Sequence, residues 1–452
     1  MGFSAAQKKQ FAEAWAGPLT DEELAHVERE RRLSGAHGDA TELTLDDLER
    51  VRGELKTLIN TLTESIRERL QGDGTRDVFF ALLQGIISGE HVYVEGSSGT
   101  AKTYSMRLLC ELLELPLAKI DATADASDFT IVGGEMLSAA KADGSMFAFR
   151  RGPLLTPGAV ALVIDELPRL PASASNALLQ AMAERRVTVS RTAQKGGSQT
   201  VKLSDHLVVL ATGNPVSYAG QGERSRALFD RFWIGMLMTQ PPDSSRLEMY
   251  QKGLVEKQKT APSPVDWSID LWTLRRVRRL VSVENNLLTK EQLQSLLAVS
   301  HAVSPDDFTS AIGWTCPTYD DFAGRPTMDK RALKQLRELV NANLAEGSNP
   351  RGELSALRNA QTLFLMDRDA KVVDDAHLAL GFAQANLARL KPFPNCEESV
   401  REIICRACQL FFPSMYESKS FGEKVARVVG MARETTDAGL LDRVLGWFTS
   451  KG

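Results

Sequence analysis

Lys102 and Thr103 close the run Gly96-Ser97-Ser98-Gly99-Thr100-Ala101-Lys102-Thr103. It fits the pattern G-x-x-x-x-G-K-[ST] except that Ala101 stands where the second glycine would be. Such a loop turns successive backbone N–H groups toward phosphate oxygens, and the following helix adds the positive end of its dipole. There Lys102 reaches the β- and γ-phosphates and Thr103 ligates Mg²⁺. Two carboxylates, Asp165 and Glu166, end the apolar run Ala159-Val160-Ala161-Leu162-Val163-Ile164. Beside a phosphate loop, Asp165 holds Mg²⁺ through water and Glu166 is the general base on the attacking water. A second apolar run, Leu207 to Thr212, leads into Gly213-Asn214-Pro215, where the Asn214 amide is placed to orient that water.

These side chains need a scaffold that brings distant strand ends together. His91-Val92-Tyr93-Val94-Glu95 is apolar, β-branched and aromatic, which predicts a strand, and Tyr104 to Leu113 has helical spacing. Leu117 to Asp121 is a candidate second strand. The run from Ala159 is long enough for a strand buried on both faces, as in parallel sheets. Parallel α/β sheets carry their chemistry at the carboxyl ends of strands, so Asp165 and Glu166 belong beside the phosphate loop. Asp143-Gly144 and Gly196-Gly197 mark two hairpins, between Met136-Leu137 and Met146–Phe149 and between Arg186–Val189 and Thr200–Leu203. Ser173 to Arg185 is an amphipathic helix.

The flanks read as helix. Thr20-Asp21-Glu22-Glu23 is a capping box, and Leu43, Leu45, Leu48, Val51, Leu55, Leu58 and Leu62 form a helical apolar stripe from Thr44 to about Leu70. Arg76 to Ser88 precedes the first strand. Leu271 to Leu280 combines an apolar stripe with four arginines, read as a solvated face, with nucleic-acid contact as the other reading. Ser304 to Met328, with Trp314, Tyr319 and Phe322, reads as an insertion loop. Helices follow over Asp329–Asn343, Arg351–Met366 and Asp374–Leu390, and three short ones beyond Pro392, ending near Trp447.

Bulk composition narrows the classes. A chain of 452 residues should hold two or more domains. With 43% hydrophobic and 25% charged residues, a net charge of -4 and a pI near 6.0, nothing global favours nucleic acid or an acidic membrane surface. The first residues lack a signal-peptide core, Ala6 offers no hydroxyl for a myristoylation motif at Gly2, and no apolar run is long enough to predict a membrane span. Cys405 and Cys408, with Cys396 upstream, fall in an apolar-periodic helix and read as structural thiols in a reducing cytosol.

In this order the pieces resemble the AAA+ ATPases, and within them the MoxR family. MoxR proteins carry a phosphate loop of the form G-x-x-G-x-A-K-T, so Ala101 is itself a match. Asp165-Glu166-Leu167-Pro168-Arg169-Leu170 resembles their second acidic motif, and Asn176 to Val189 the helix and strand after it. Ala211-Thr212-Gly213-Asn214-Pro215 resembles the sensor-1 motif, Leu228-Phe229-Asp230-Arg231-Phe232 the arginine-finger motif, and Ser348-Asn349-Pro350-Arg351 the sensor-2 motif.

The resemblance implies an AAA+ P-loop nucleotide-binding domain, a parallel sheet with flanking helices, plus a helical lid, with nucleotide between the two. The expected division is an N-terminal helical region over 1–70, the α/β domain over 71–240, a lid with an insertion over 241–390, and a C-terminal helical extension over 391–452. The implied activity is ATP hydrolysis with Mg²⁺ in a ring oligomer, usually a hexamer, in the cytoplasm. Glu166, Asn214, Arg231 and Arg351 would be catalytic, with Arg231 reaching the neighbouring subunit's nucleotide. The hairpin between the phosphate loop and the acidic strand would face the central pore. The implied partner is a protein client, often one with a von Willebrand A domain, matured or remodelled in chaperone-like fashion. A nucleic-acid-acting AAA+ motor or restriction-type GTPase subunit is the alternative, resting on the arginines from Arg275 to Arg279. A non-hydrolysing nucleotide switch fits less well, because it has no chemical need for Glu166, Asn214 and Arg231.

Overall fold

A computed structural model describes residues 3–15, 17–35, 42–67, 69–70, 73–137, 147–190, 197–214, 226–238, 262–311, 329–367, 369–394 and 396–412. Its centre is a five-stranded sheet. The strands are β1 (His91–Gly96), β2 (Leu117–Asp121), β5 (Ala161–Asp165), β8 (Val208–Gly213) and β9 (Phe232–Met238). Two antiparallel ribbons lie outside it, β3 (Gly133–Leu137) with β4 (Phe147–Arg151) and β6 (Arg186–Ser190) with β7 (Ser198–Lys202). Both are the expected hairpins, although the Asp143-Gly144 turn and Gly196 lie outside the described residues.

The central order is β2-β5-β8-β1-β9, and every pairing in it is parallel. β8 therefore separates the strand of the phosphate loop from the strand of the two acids. Register aligns their carboxyl ends: Glu95 lies opposite Gly213, and Ile164 opposite Ala211. The inner strands β5 and β8 are apolar and buried because helices cover both faces, while the edge strand β2 alternates, with Lys119 and Asp121 exposed. β9 was not expected from the sequence. Its apolar run begins inside the Asp230-Arg231-Phe232 motif, its parallel pairing with β1 makes it a strand, and a later helix packs on it where Asn359 donates to the Trp233 carbonyl (2.7 Å).

The N-terminal helices follow the pattern read from the sequence. The Thr20–Glu23 capping box is present in both directions. Helix Leu45–Ile66 buries its apolar stripe from Leu48 to Leu62, leaving Leu45 exposed, and its Arg52 donates to the Asp367 carbonyl (2.6 Å) while stacking on Phe364 (4.2 Å). Arg151, at the end of β4, grips Glu23 (2.7 Å) and accepts no freedom, since it also donates to the carbonyls of Trp15, Gly17 and Pro18. Beyond the sheet come helices Leu271–Val277, Lys290–Ala302, Lys330–Asn343, Pro350–Met366, Asp375–Leu387 and Glu397–Phe411. Buried Cys405 and Cys408 lie in the last of these, and burial pushes the Cys405 thiol up to about 12. No helix among the described residues is long and apolar enough to cross a membrane.

Two expectations need correction. The 304–328 segment is not loop throughout: Asp306–Ala311 is a short helix, held where Asn341 donates to Asp306 (2.6 Å). Its aromatics Trp314, Tyr319 and Phe322 lie outside the described residues. The arginines of Leu271–Leu280 do not form a wholly solvated face. Arg275 donates to the Asp205 carbonyl (3.0 Å), and Arg278 donates to the Ser88 carbonyl (3.2 Å) beside Glu90 (3.6 Å). Partners on the α/β domain draw both side chains inward.

His91 opens β1 with a buried ring whose Nδ1 accepts the Val209 N–H (3.0 Å). Burial, reinforced by Arg185, Arg275 and Arg231, holds its pKa well below the ordinary 6.5. Just under that pH the unfolded chain binds more protons here than the folded one. Stability should therefore fall as pH drops through 6.5, by up to about 1.4 kcal/mol per pH unit. His91→Gln should flatten this part of the curve in thermal melts run from about pH 7.5 to about pH 5. An unchanged slope would assign it to another group.

Candidate active site

Backbone geometry at the glycine loop explains its residue types. Gly99 sits at φ 80°, in the left-handed region. Gly96 lies so close to β9 that a Cβ would come within 2.5 Å of the Met238 carbonyl oxygen. Ala101 also has positive φ (63°), which for alanine costs on the order of 1–2 kcal/mol. The cost is tolerated where the loop turns into helix Lys102–Leu112.

Lys102 is buried, and its Nζ donates to the carbonyls of Gly96 (2.6 Å) and Ser97 (2.8 Å) and to Asn214 Oδ1 (3.3 Å). Burial lowers its pKa, against the opposing pull of Asp165, Glu166 and Glu95. Thr100 braces the loop through the Ser97 carbonyl (2.8 Å). Ser98 is exposed at the tip. The Thr103 hydroxyl donates to Asp165 Oδ1 (2.8 Å) across the gap between β1 and β5. Thr103 and Asp165 thus offer oxygen donors only, a set that suits a hard cation such as Mg²⁺. Among the described residues no cluster of His, Cys, Asp and Glu forms another metal site.

Glu166 has φ 56°, an unusual backbone for a non-glycine residue and one that re-aims its side chain. Its Oε1 accepts from Asn214 Nδ2 (3.2 Å), and its Oε2 pairs with Arg169 (2.7 Å). Both partners of that pair are substantially exposed, so breaking it costs about 0–1 kcal/mol. The carboxylate is oriented without being locked.

Two of these contacts were not assigned from the sequence. Thr212 donates to Asp165 Oδ1 (2.6 Å) and accepts the Glu166 N–H (2.9 Å), tying β8 to both acids. Arg169 is the other. The available signal for Thr212 was strand alternation, which puts it on the same side of β8 as Asn214.

The model of the ATPase family associated with various cellular activities (AAA) matches residues 91–234, the span that carries this site. Over 297 residues the chain is 28% identical to the chaperone MoxR1 of Mycobacterium tuberculosis, covering 65% of this chain and 66% of that one. The chain is a MoxR-like AAA+ ATPase. As such it is a P-loop enzyme that binds nucleotide and hydrolyses ATP. An uncharacterized Bacillus subtilis protein, YeaC, is 24% identical over 354 residues, 78% of this chain and 93% of that one. A crystal structure of a candidate ATPase from Cytophaga hutchinsonii shares the fold, with a TM-score of 0.59 at 20% identity, over 81% of this chain and 98% of that one.

In this MoxR-like chain Arg231 and Arg351 stand apart from the other candidates. Arg231 precedes β9, whose Phe232 pairs with His91 at the start of β1. The phosphate loop follows the far end of β1, five strand steps or roughly 17 Å away. Arg351 belongs to the same end: the preceding Asn349 caps helix Pro350–Met366 and donates to Asp230 Oδ1 (3.2 Å). Arg389 adds a bond to the Asp230 carbonyl (2.9 Å). The expectation that nucleotide lies between the α/β domain and the helices after it gains no support from the helix bearing Arg351. The helix bearing Arg351 docks at the amino ends of β1 and β9, through Arg358–Glu90 (3.0 Å) and Asn359–Trp233, instead of over the loop. Burial, then Arg351, lowers the Arg231 pKa, and the Arg231 Nε is buried with no hydrogen-bond partner among the described residues.

Proposed function

We propose that this MoxR-like ATPase works with Mg²⁺ as a head-to-tail ring, usually hexameric in similar proteins, and that hydrolysis drives chaperone-like remodelling of a protein client. The reading rests on one observation. Lys102, Thr103, Asp165, Glu166 and Asn214 gather at one end of the sheet, while Arg231 and Arg351 gather at the other. Neither arginine reaches its own chain's loop, and a heterologous interface brings one end to the other.

Within the site, the loop from Gly96 to Ala101 cradles phosphates, and Lys102 turns from loop carbonyls to the β- and γ-phosphates. Thr103 and Asp165 hold Mg²⁺, which supplies charge neutralisation on those phosphates. Asn214 orients water, and Glu166 exchanges Arg169 for that water and takes its proton. Arg231 and Arg351 of the neighbour stabilise charge on the departing phosphoryl group. A cytoplasmic setting and a client bearing a von Willebrand A domain complete the proposal.

Turnover per subunit should rise steeply with protein concentration as rings assemble, measured by phosphate release alongside sedimentation velocity. Constant specific activity from monomer to oligomer would contradict a shared site. The β3–β4 ribbon tests the client role, since Met136 is 39% exposed there. Met136→Ser should keep basal ATPase while lowering client-stimulated turnover several-fold. Equal stimulation in wild type and variant would remove the ribbon from client contact.

A further inference from the structure

A cleft of about 500 Å³ opens where the amino end of β1 meets helices Leu271–Val277 and Pro350–Met366. Its lining contains six arginines, Arg185, Arg275, Arg276, Arg278, Arg279 and Arg358, and a single carboxylate, Glu90. Glu90 is already shared, by Arg358 (3.0 Å) and Arg278 (3.6 Å). Arg185 and Arg275 are positioned by carbonyls, the first by Gly89 (3.3 Å) and Met182 (3.1 Å), the second by Asp205 (3.0 Å). Carbonyl oxygens orient a guanidinium without neutralising it. Arg275 Nε is buried with no hydrogen-bond partner among the described residues. Burial, and then Arg185, pushes the Arg275 pKa down to about 10. The cleft is thus a preformed concentration of like charge, which a ligand with several negative charges would relieve.

We propose that this cleft is a second anion site that takes a nucleotide-sized polyphosphate. Guanidinium forks match phosphate oxygens in pairs, and a chain of phosphates carries enough charge to engage several forks at once. The volume falls within the small-molecule range of about 300–1,000 Å³. Trp272, Leu354 and Leu357 also line it and offer an aromatic and apolar wall for a nucleoside. The site is distinct from the phosphate loop, because Gly89 and Glu90 precede β1 and the loop follows it, roughly 17 Å further along. Arg185 and Glu90 come from the α/β domain and the other arginines from the helices after it, so the ligand bridges the two.

The test uses the full chain carrying Lys102→Ala, which disables the phosphate loop, and titrates inorganic tripolyphosphate by calorimetry. Binding near one equivalent should persist and weaken with salt. Adding Arg276→Glu with Arg279→Glu should weaken it at least about ten-fold, since each lost charged contact is worth that much. Arg279→Glu alone, at an exposed position, should show part of the loss if the pair impairs folding. A parallel titration with ATP identifies the source. Tighter binding that falls to the tripolyphosphate level in Trp272→Ala assigns a nucleotide, and equal binding assigns an inorganic chain. No binding in the Lys102→Ala chain, or binding indifferent to the charge reversals, would overturn the proposal. Duplex DNA binding lost in the reversal variants, without tripolyphosphate binding, would replace it with a nucleic-acid surface.

Discussion

Glu166→Gln should bind ATP as the wild-type chain does and hydrolyse it about 10²- to 10⁴-fold more slowly. The substitution keeps an oxygen to accept from Asn214 Nδ2 and gives up only the exposed pair with Arg169, worth about 0–1 kcal/mol. Lys102, Thr103 and Asp165 are untouched, so the cradle stays intact. What disappears is the basicity needed to take a proton from water. Lys102→Ala makes the contrasting case. It removes the ammonium that rests on the Gly96 and Ser97 carbonyls and would turn to the phosphates, so binding itself should be lost. Fluorescent-nucleotide titration and phosphate release, run on both variants, separate the two roles. Near-wild-type turnover in Glu166→Gln would take Glu166 out of the proton transfer.

The second large effect concerns Arg231. Arg231→Ala should assemble, bind ATP and lose about 10³- to 10⁵-fold in turnover, the value of an arginine supplied to a transferring phosphoryl group. A side chain at the amino end of β9 does not reach a loop at the carboxyl end of β1, so in the proposed ring the phosphate it serves would be another subunit's. Its surroundings fit such a task. Arg231 stands between Arg351 and Asp230, with one amine on the Ala227 carbonyl and its Nε unpartnered among the described residues, so its charge is only partly matched. Mixing decides the point. Arg231→Ala and Lys102→Ala are each expected to be inactive alone. Combined in equal amounts, they should form about a quarter of their heterologous interfaces with an intact loop facing an intact finger. Activity should return in that proportion. Failure to recover, with mixed assembly shown by sedimentation, would mean that Arg231 acts within its own chain or only in packing.

What the sequence by itself determined is local. The phosphate loop, the two acids at a strand end, both hairpin ribbons and the capped helices follow from signals spanning a few residues: glycine conformational freedom, apolar runs and capping hydroxyls. Ala101 shows how far such reading carries, since its left-handed backbone is what the substituted glycine position requires. The tertiary structure alone decided which strands are neighbours. Placing β8 between β1 and β5 is what brings Thr212 onto Asp165 and Asn214 onto Glu166. It also decided where the later helices dock. The contacts that fix this join residues far apart in the chain: Asn349 with Asp230, Arg358 with Glu90, Arg52 with Asp367. β9 and the inward arginines Arg275 and Arg278 escaped sequence reading for the same reason. Propensity and periodicity are set by near neighbours, whereas a guanidinium's direction and a strand's place are set by partners that only the folded chain supplies.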